Sequence, residues 1–279
     1  MYIAAQNERV SRQCSKLLYH LMKVSIITVT YNSAKFLEEC ICSVRNQDYN
    51  DIEHIIIDGG SLDDTLEIIK KHESRNIKWI SEKDSGMYDA LNKGMKLATG
   101  DIIGALNSDD VFAASNVVSE IVKCFKHSRV DSVYGDIVYV SQSNTKKVIR
   151  YWEGFSYSRD RFRYGWMPAH PSFYIRKELV DELGSYESHY YTAADYEFML
   201  RYLYHYRISA QYIPKLIVKM RVGGASNRTL SARLRANRRD YLAMKKNHVP
   251  MPFIASILKL IIKVRQYYDI DPHKLHKLG

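Results

Sequence analysis

Ile102-Ile103-Gly104-Ala105-Leu106-Asn107-Ser108-Asp109-Asp110 decides how this chain is read. The apolar run Ile102 to Leu106 has the length and continuity of a buried strand, and it stops at two adjacent carboxylates. In open α/β sheets, ligands bind just beyond the carboxyl ends of the strands. Paired hard oxygen ligands there suit a divalent cation, and such a cation commonly accompanies a bound phosphate group. A helix cap is the competing reading, since Asp favours that position too. The tetrapeptide alone leaves both open.

Working outward, the preceding segments alternate. Val24 to Thr30 is a β-branched run that reads as a buried strand, and Phe36, Leu37, Ile41 and Val44 mark a helix face after Asn32-Ser33. Strands follow at Ile52 to Ile57 and Ile77 to Ile80, with helices over Leu62 to His72 and residues 87–98. Beyond the carboxylates come a helix near 116–126 and a strand near 132–140. Strands alternating with helices predict an α/β fold with a mostly parallel sheet flanked by helices. Past Gly135 the pattern changes. Ser141 to Lys147 reads as a polar hairpin or loop, and 148–176 as aromatic-rich and irregular, with Pro168 and Pro171 excluding a helix. Asp195 to Tyr206 is helical, Ile208 to Ile213 and Leu216 to Val222 are extended, and two helices broken near Pro250 and Pro252 complete the chain.

With 279 residues the chain can bury a full core. A net charge of +10 and a pI near 9.2 favour an anionic partner. Cys14, Cys40, Cys42 and Cys124 show neither zinc spacing nor a secreted disulfide pattern, which fits reduced cytoplasmic thiols. No stretch reaches the roughly 18 to 20 apolar residues of a spanning helix. The basic N-terminus lacks a signal-peptide core, and residues 1–22 read as an extension ahead of the first strand.

Four places carry candidate chemistry, all at strand ends or helix starts. Thr30-Tyr31-Asn32 offers an aromatic ring beside polar groups, able to stack on a base, although Asn also caps helices. Asp58-Gly59-Gly60-Ser61 has glycines that fit either a tight turn or close backbone approach to a ligand. Asp109-Asp110 is the third. The fourth is Ala193-Ala194-Asp195-Tyr196, an acid opening a helix, with His170 between Pro168 and Pro171 similarly ambiguous.

Val24-Ser25-Ile26-Ile27-Thr28-Val29-Thr30-Tyr31-Asn32, then Ile57-Asp58-Gly59-Gly60-Ser61-Leu62-Asp63-Asp64-Thr65, then Asn107-Ser108-Asp109-Asp110 resembles a family 2 glycosyltransferase of GT-A fold. Ser85-Gly86-Met87-Tyr88-Asp89-Ala90-Leu91-Asn92-Lys93-Gly94 matches the stretch that precedes the metal motif in that family. The likeness spans about residues 23–225 and is nearest to bacterial enzymes of exopolysaccharide, capsule or O-antigen synthesis. It implies a nucleotide-binding half at about 23–140, an acceptor-binding half at about 141–225 and a basic helical tail at 226–279. It also implies inverting transfer from a nucleotide-sugar donor, expected to be a UDP-sugar, to a glycan or lipid-diphosphate-linked acceptor. Thr30, Tyr31, Asn32, Asp58, Asp84, Ser108 and Asp109 would then surround the nucleotide. Asp109 and Asp110 would hold Mg2+ or Mn2+, His170 and Trp166 would face the acceptor, and Asp195 would be the general base. Two positions depart from the pattern. Asn107 stands where the metal motif often begins with Asp, and Gly59 where some members carry a second acid that can read a uracil ring.

Single-displacement sugar transfer needs a stabilised diphosphate leaving group, a base for the acceptor hydroxyl and in-line positioning. Asp109, Asp110 and Asp195 are residues of the right type for these roles. A non-catalytic nucleotide-sugar binder or a nucleotidyltransferase is the alternative. The latter needs a Gly-rich basic loop after the first strand, which Thr30-Tyr31-Asn32-Ser33 does not supply, and the former has no need of Asp195. Nucleic-acid binding is disfavoured, because the charge concentrates in the tail and the core carries an acidic pair. Between Arg228 and Lys246 lie seven Lys or Arg residues and one acid, Asp240. Ile254, Ile257, Leu258, Ile261 and Ile262 then form an apolar stripe. Such a tail could lie peripherally on the inner face of the cytoplasmic membrane, pack on the domain, or join a homodimer.

Overall fold

Val24–Thr30 forms β1, buried along its whole length, as a β-branched run between two helical layers should be. The computed structural model describes residues 22–223 and 230–266. The predicted extension at 1–22 therefore lies outside the described residues except for Met22. After β1 come α1 (Ala34–Arg45), β2 (Ile52–Asp58), α2 (Thr65–Lys71), β3 (Ile77–Ser81), α3 (Met87–Leu97) and β4 (Ile102–Ala105). These four strands pair in parallel in the order β3-β2-β1-β4. Alternate residues face opposite layers: Ile27, Val29, Ile55 and Ile57 join Leu91 and Met95 of α3, while Val24 and Ile26 join Cys40 and Val44 of α1. The predicted helix from Leu62 starts at Thr65 instead, because the Asp63 carboxylate accepts from Thr65 N and Oγ1 and holds residues 61–64 in a turn.

The second half extends the same sheet with mixed pairing. Its elements are β5 (Val111–Phe112), α4 (Val117–Ser128), β6 (Ser132–Ser141), β7 (Asn144–Trp152), β8 (Tyr174–Arg176), α5 (Lys177–Leu183), α6 (Ala194–Met199) and β9 (Ala210–Arg221). β8 bridges β4 and β6 antiparallel, β9 runs parallel to β6, and β5 closes the far edge on β9. Gly104 of β4 lets β8 in, since a Cβ there would stand 2.0 Å from the Tyr174 ring. β6 and β7 form the hairpin expected near Ser141 to Lys147, but β7 continues to Trp152, into the stretch expected to be irregular. The two extended pieces expected around Pro214 are one strand. A register shift opposite Gly135, between Tyr134↔Tyr212 and Asp136↔Leu216, accommodates the missing N–H. α6 begins at Ala194 and passes into a wider π turn over Leu200–His205, matching the expected helix at Asp195 to Tyr206.

The tail is built into this body. α7 (Leu230–Lys246) packs on a 3-10 turn at Ser188–Ala193 and on α6, and α8 (Pro252–Arg265) packs on a 3-10 turn at Arg159–Tyr164. Ala243, Met244, Val249 and Ala255 are buried in the same cluster as Phe162, Tyr196 and Phe198. Gly165, at φ +80°, allows the contact with α8: a Cβ there would lie 2.5 Å from the Ala255 carbonyl. Among the described residues, Cys40, Cys42 and Cys124 are free thiols, and no helix is long and apolar enough to cross a membrane.

Candidate active site

Register places Thr30, Asp58 and Ser81 side by side at the carboxyl ends of β1, β2 and β3. The loops that follow are laced together. Asn32, at φ +47°, accepts from Leu62 N through Oδ1 and donates its own N–H to Ser61 Oγ, while Ser108 Oγ donates to Ser33 Oγ at 3.0 Å. The backbone strain at Asn32 is of a kind Asn tolerates better than most residues. The Tyr31 ring, 61% exposed, stands at the mouth. Thr30 Oγ1 is buried without a hydrogen-bond partner among the described residues.

Gly59 lies between Tyr31 and Asp84. A Cβ at Gly59 would come within 2.6 Å of Asp84 Oδ2 and 3.4 Å of Tyr31 Cδ2. The acid missing at position 59 is thus replaced in space by a carboxylate from the loop after β3, whose other oxygen accepts from Gly86 N at 2.8 Å. Asp58 is different. It is fully buried, and its oxygens accept from Gly60 N, Ser61 N, Ser61 Oγ and Ser81 Oγ, so it shapes the loop rather than facing solvent.

The expected metal pair is divided. Asp110 is fully buried; its Oδ2 accepts from Asn107 Nδ2 at 2.8 Å and its Oδ1 from Arg221 N at 3.0 Å. Burial pushes its carboxyl up to about 8, and the neighbouring Asp109 charge adds to this. Both Asp110 oxygens are thus engaged by the protein and hold the loop, which leaves Asp109 the less encumbered carboxylate of the pair. Asp109 is half-buried, with its carboxyl raised by burial. Arg221 supports it from β9: its guanidinium donates to the Asp109 carbonyl and to Glu39 and lies over the Phe36 ring. Among the described residues no three metal-ligating side chains cluster. The donor set fits a hard dication that takes one carboxylate, Asp109, and fills the rest of its shell from a diphosphate and water, as Mg2+ often does.

Asp195, the expected general base, is half-buried at the start of α6, with Oδ1 accepting from Tyr196 N. Tyr88, buried at the start of α3, hydrogen-bonds to the Asp195 carboxylate; burial, and then that negative charge, hold its hydroxyl well above the ordinary range. His170 lies close enough to feel the Asp195 charge, but it is buried, which lowers its pKa, and its Nε2 meets Tyr186 Oη at 2.6 Å. Trp166 is buried: its indole N–H donates to the Gly154 carbonyl at 3.1 Å, and its ring packs edge-on to Phe162 and Tyr134 in the core.

Sequence reasoning missed the parts that join the two halves. Asn92 Nδ2 donates to the Tyr186 carbonyl at 2.8 Å, and Tyr186 N donates to Asn92 Oδ1 at 2.9 Å. Tyr88 and Asn92 sit in the motif at Ser85 to Gly94, which offered a signal but no role. Arg221 offered none, because its partners are 111 and more residues away.

The profile of Glycosyl transferase family 2 matches residues 25–184. An uncharacterized glycosyltransferase of Mycobacterium tuberculosis is 34% identical over 181 residues, 64% of this chain and 68% of that protein. A PGL/p-HBAD biosynthesis glycosyltransferase of Mycobacterium bovis is 29% identical over 208 residues, 73% of this chain and 78% of its own. Among solved structures, S. aureus TarS 1-349 in complex with UDP is similar with a TM-score of 0.62 at 19% identity, covering 80% of this chain and 65% of that one. The mannosyltransferase PcManGT of Pyrobaculum calidifontis, in complex with GDP-Man and Mn2+, has a TM-score of 0.61 at 19% identity and covers 94% of this chain and 74% of its own. At this identity the structural likeness concerns the fold, which is GT-A.

Proposed function

Since the chain belongs to glycosyl transferase family 2, we propose that it moves a sugar from a UDP-sugar to a hydroxyl of a glycan or lipid-diphosphate-linked acceptor, with inversion, in bacterial surface-polysaccharide synthesis. The observation that carries this reading is the short run from Asp84 to Tyr88. At one end Asp84 meets Gly59 and the exposed Tyr31 ring; at the other Tyr88 hydrogen-bonds to Asp195. One segment thus ties the candidate nucleobase contacts to a candidate general base.

Each side chain has a task. The Tyr31 ring stacks on the nucleobase, and the Asp84 carboxylate accepts from a ring N–H such as uracil N3–H. Asp109 is the residue to hold Mg2+ or Mn2+, which when bound would neutralise charge developing on the diphosphate. Asp195 accepts the proton of the acceptor hydroxyl as its oxygen bonds to the anomeric carbon and the bond to the diphosphate oxygen breaks on the opposite face. Tyr88, kept protonated, donates to Asp195 and fixes its direction. The sugar is expected to be a hexose or an N-acetylhexosamine.

A panel of UDP-, GDP- and dTDP-sugars, scored for thermal stabilisation with Mn2+ present, tests the proposal. Stabilisation is expected with UDP-sugars and to fall on chelation. Stabilisation by none of the donors would overturn the reading, and a GDP-sugar preference would overturn the base assignment alone.

A further inference from the structure

A helix packed on a water-facing domain ordinarily buries its apolar stripe and exposes its charges. α8 is turned over. Its buried face carries Ala255, Ser256 and Lys259, while Phe253, Ile254, Ile257, Leu260 and Ile261 are 44–67% exposed. The inversion is held by specific contacts. Lys259 Nζ pairs with Asp240 of α7 at 2.8 Å and lies 3.3 Å from the centre of the Tyr196 ring, and the helix backbone closes on Gly165. Reversing the helix would remove that ion pair and leave Asp240 without its cation. The outward apolar stripe is therefore fixed by the packing beneath it.

We propose that this stripe of α8 docks the protein on an anionic phospholipid surface, lying in the plane of the interface. Charge selects this occupant. Arg235, Arg238 and Lys245 are exposed on α7, and the chain carries +10 overall. Basic side chains beside an apolar helix face are attracted to anionic headgroups, whereas two copies bearing the same charge repel. The docking face also adjoins the acceptor side, because Tyr196 beneath Lys259 follows Asp195 directly. The docking is read from the surface alone and goes beyond sugar transfer, so its test needs no enzymatic activity.

The full chain is to be sedimented with vesicles of phosphatidylcholine alone and of phosphatidylcholine with phosphatidylglycerol, at low and high salt. Binding is expected to the anionic vesicles only and to weaken with salt. Ile257→Glu/Ile261→Glu should lower the apparent affinity by roughly tenfold or more with an unchanged melting temperature, since both side chains are exposed. Phe253→Ser serves as a second, milder variant of the same face. Wild-type binding by these variants overturns the proposal. So does a wild-type dimer that the same substitutions dissociate while neither protein binds vesicles.

Discussion

Gly59 and Asp195 mark the two ends of the candidate chemistry. Asp195→Asn keeps an oxygen that can accept from Tyr196 N but removes the charge that takes a proton. Donor-dependent stabilisation should persist while kcat falls by roughly 10²–10⁴-fold; full turnover by this variant would remove Asp195 from the base role. Gly59→Ala should raise the donor KM with little change in stability, because the new methyl meets the Asp84 carboxylate at 2.6 Å. If donor affinity, measured by titration, is unaltered in Gly59→Ala, the slot between Tyr31 and Asp84 does not hold the base. These positions show how far sequence reaches at this scale. Residue type nominated Asp109, Asp110 and Asp195 together. The pairing of Arg221 N with Asp110 Oδ1 across 111 residues, added to the local bond from Asn107, separates a buried Asp110 from a half-buried Asp109.

The parallel strands are clamped at their opposite ends by Glu53 and His54 of β2. Glu53 accepts from Ser25 Oγ, Thr99 N, Thr99 Oγ1 and Lys78 Nζ, fastening β1, β3 and the entry to β4. Burial alone would raise this carboxyl, but those hydrogen bonds outweigh it and hold it at about 2. Its contribution to stability is therefore complete above its unfolded value near 4.5 and lost as pH falls from there towards 2. His54, buried beside Thr28, is pushed down to about 3 by burial, so the unfolded chain takes up its proton first and stability declines from about 6.5 downwards. Urea midpoints measured across this range should show both declines. Glu53→Gln should flatten the lower one; an unchanged slope there would exclude Glu53 as its source. Gly104→Ala should cost about 1–3 kcal/mol by overpacking against Tyr174, read as a lower urea midpoint. The elements up to β4 were legible because each strand carries a short cluster of Val or Ile between turn residues and each helix shows an apolar face. β5 and β8 were not, being two and three residues long. Their strand character comes from neighbours, Val218 and Lys219 for β5, and β4 and β6 for β8.

Across the molecule, the halves read from sequence as nucleotide-binding and acceptor-binding share one sheet and are clasped by Asn92 and Tyr186. Within the tail, whose composition left membrane, domain and partner open, α7 buries Ala243 and Met244 in the core, while α8 turns Ala255, Ser256 and Lys259 inward. A chain ending at Lys246 would leave Asp240 without Lys259 and uncover Tyr196. Losing one partner of a buried pair costs roughly 3–5 kcal/mol, so this truncation should melt markedly lower in a calorimetric scan; a melting point equal to the full chain's would show that α8 is an appendage. The pairing of Arg221 with the Asp109-Asp110 loop has a consequence in time. On the ribosome the first four strands emerge long before residue 221, so the Asp109-Asp110 loop waits, without its anchor, until β9 has been made and slotted beside β6. Nascent chains arrested short of that point should fail to retain a donor analogue. On the proposed function, donor capture is then acquired only once β9 is in place, and not when the donor-side strands themselves are complete.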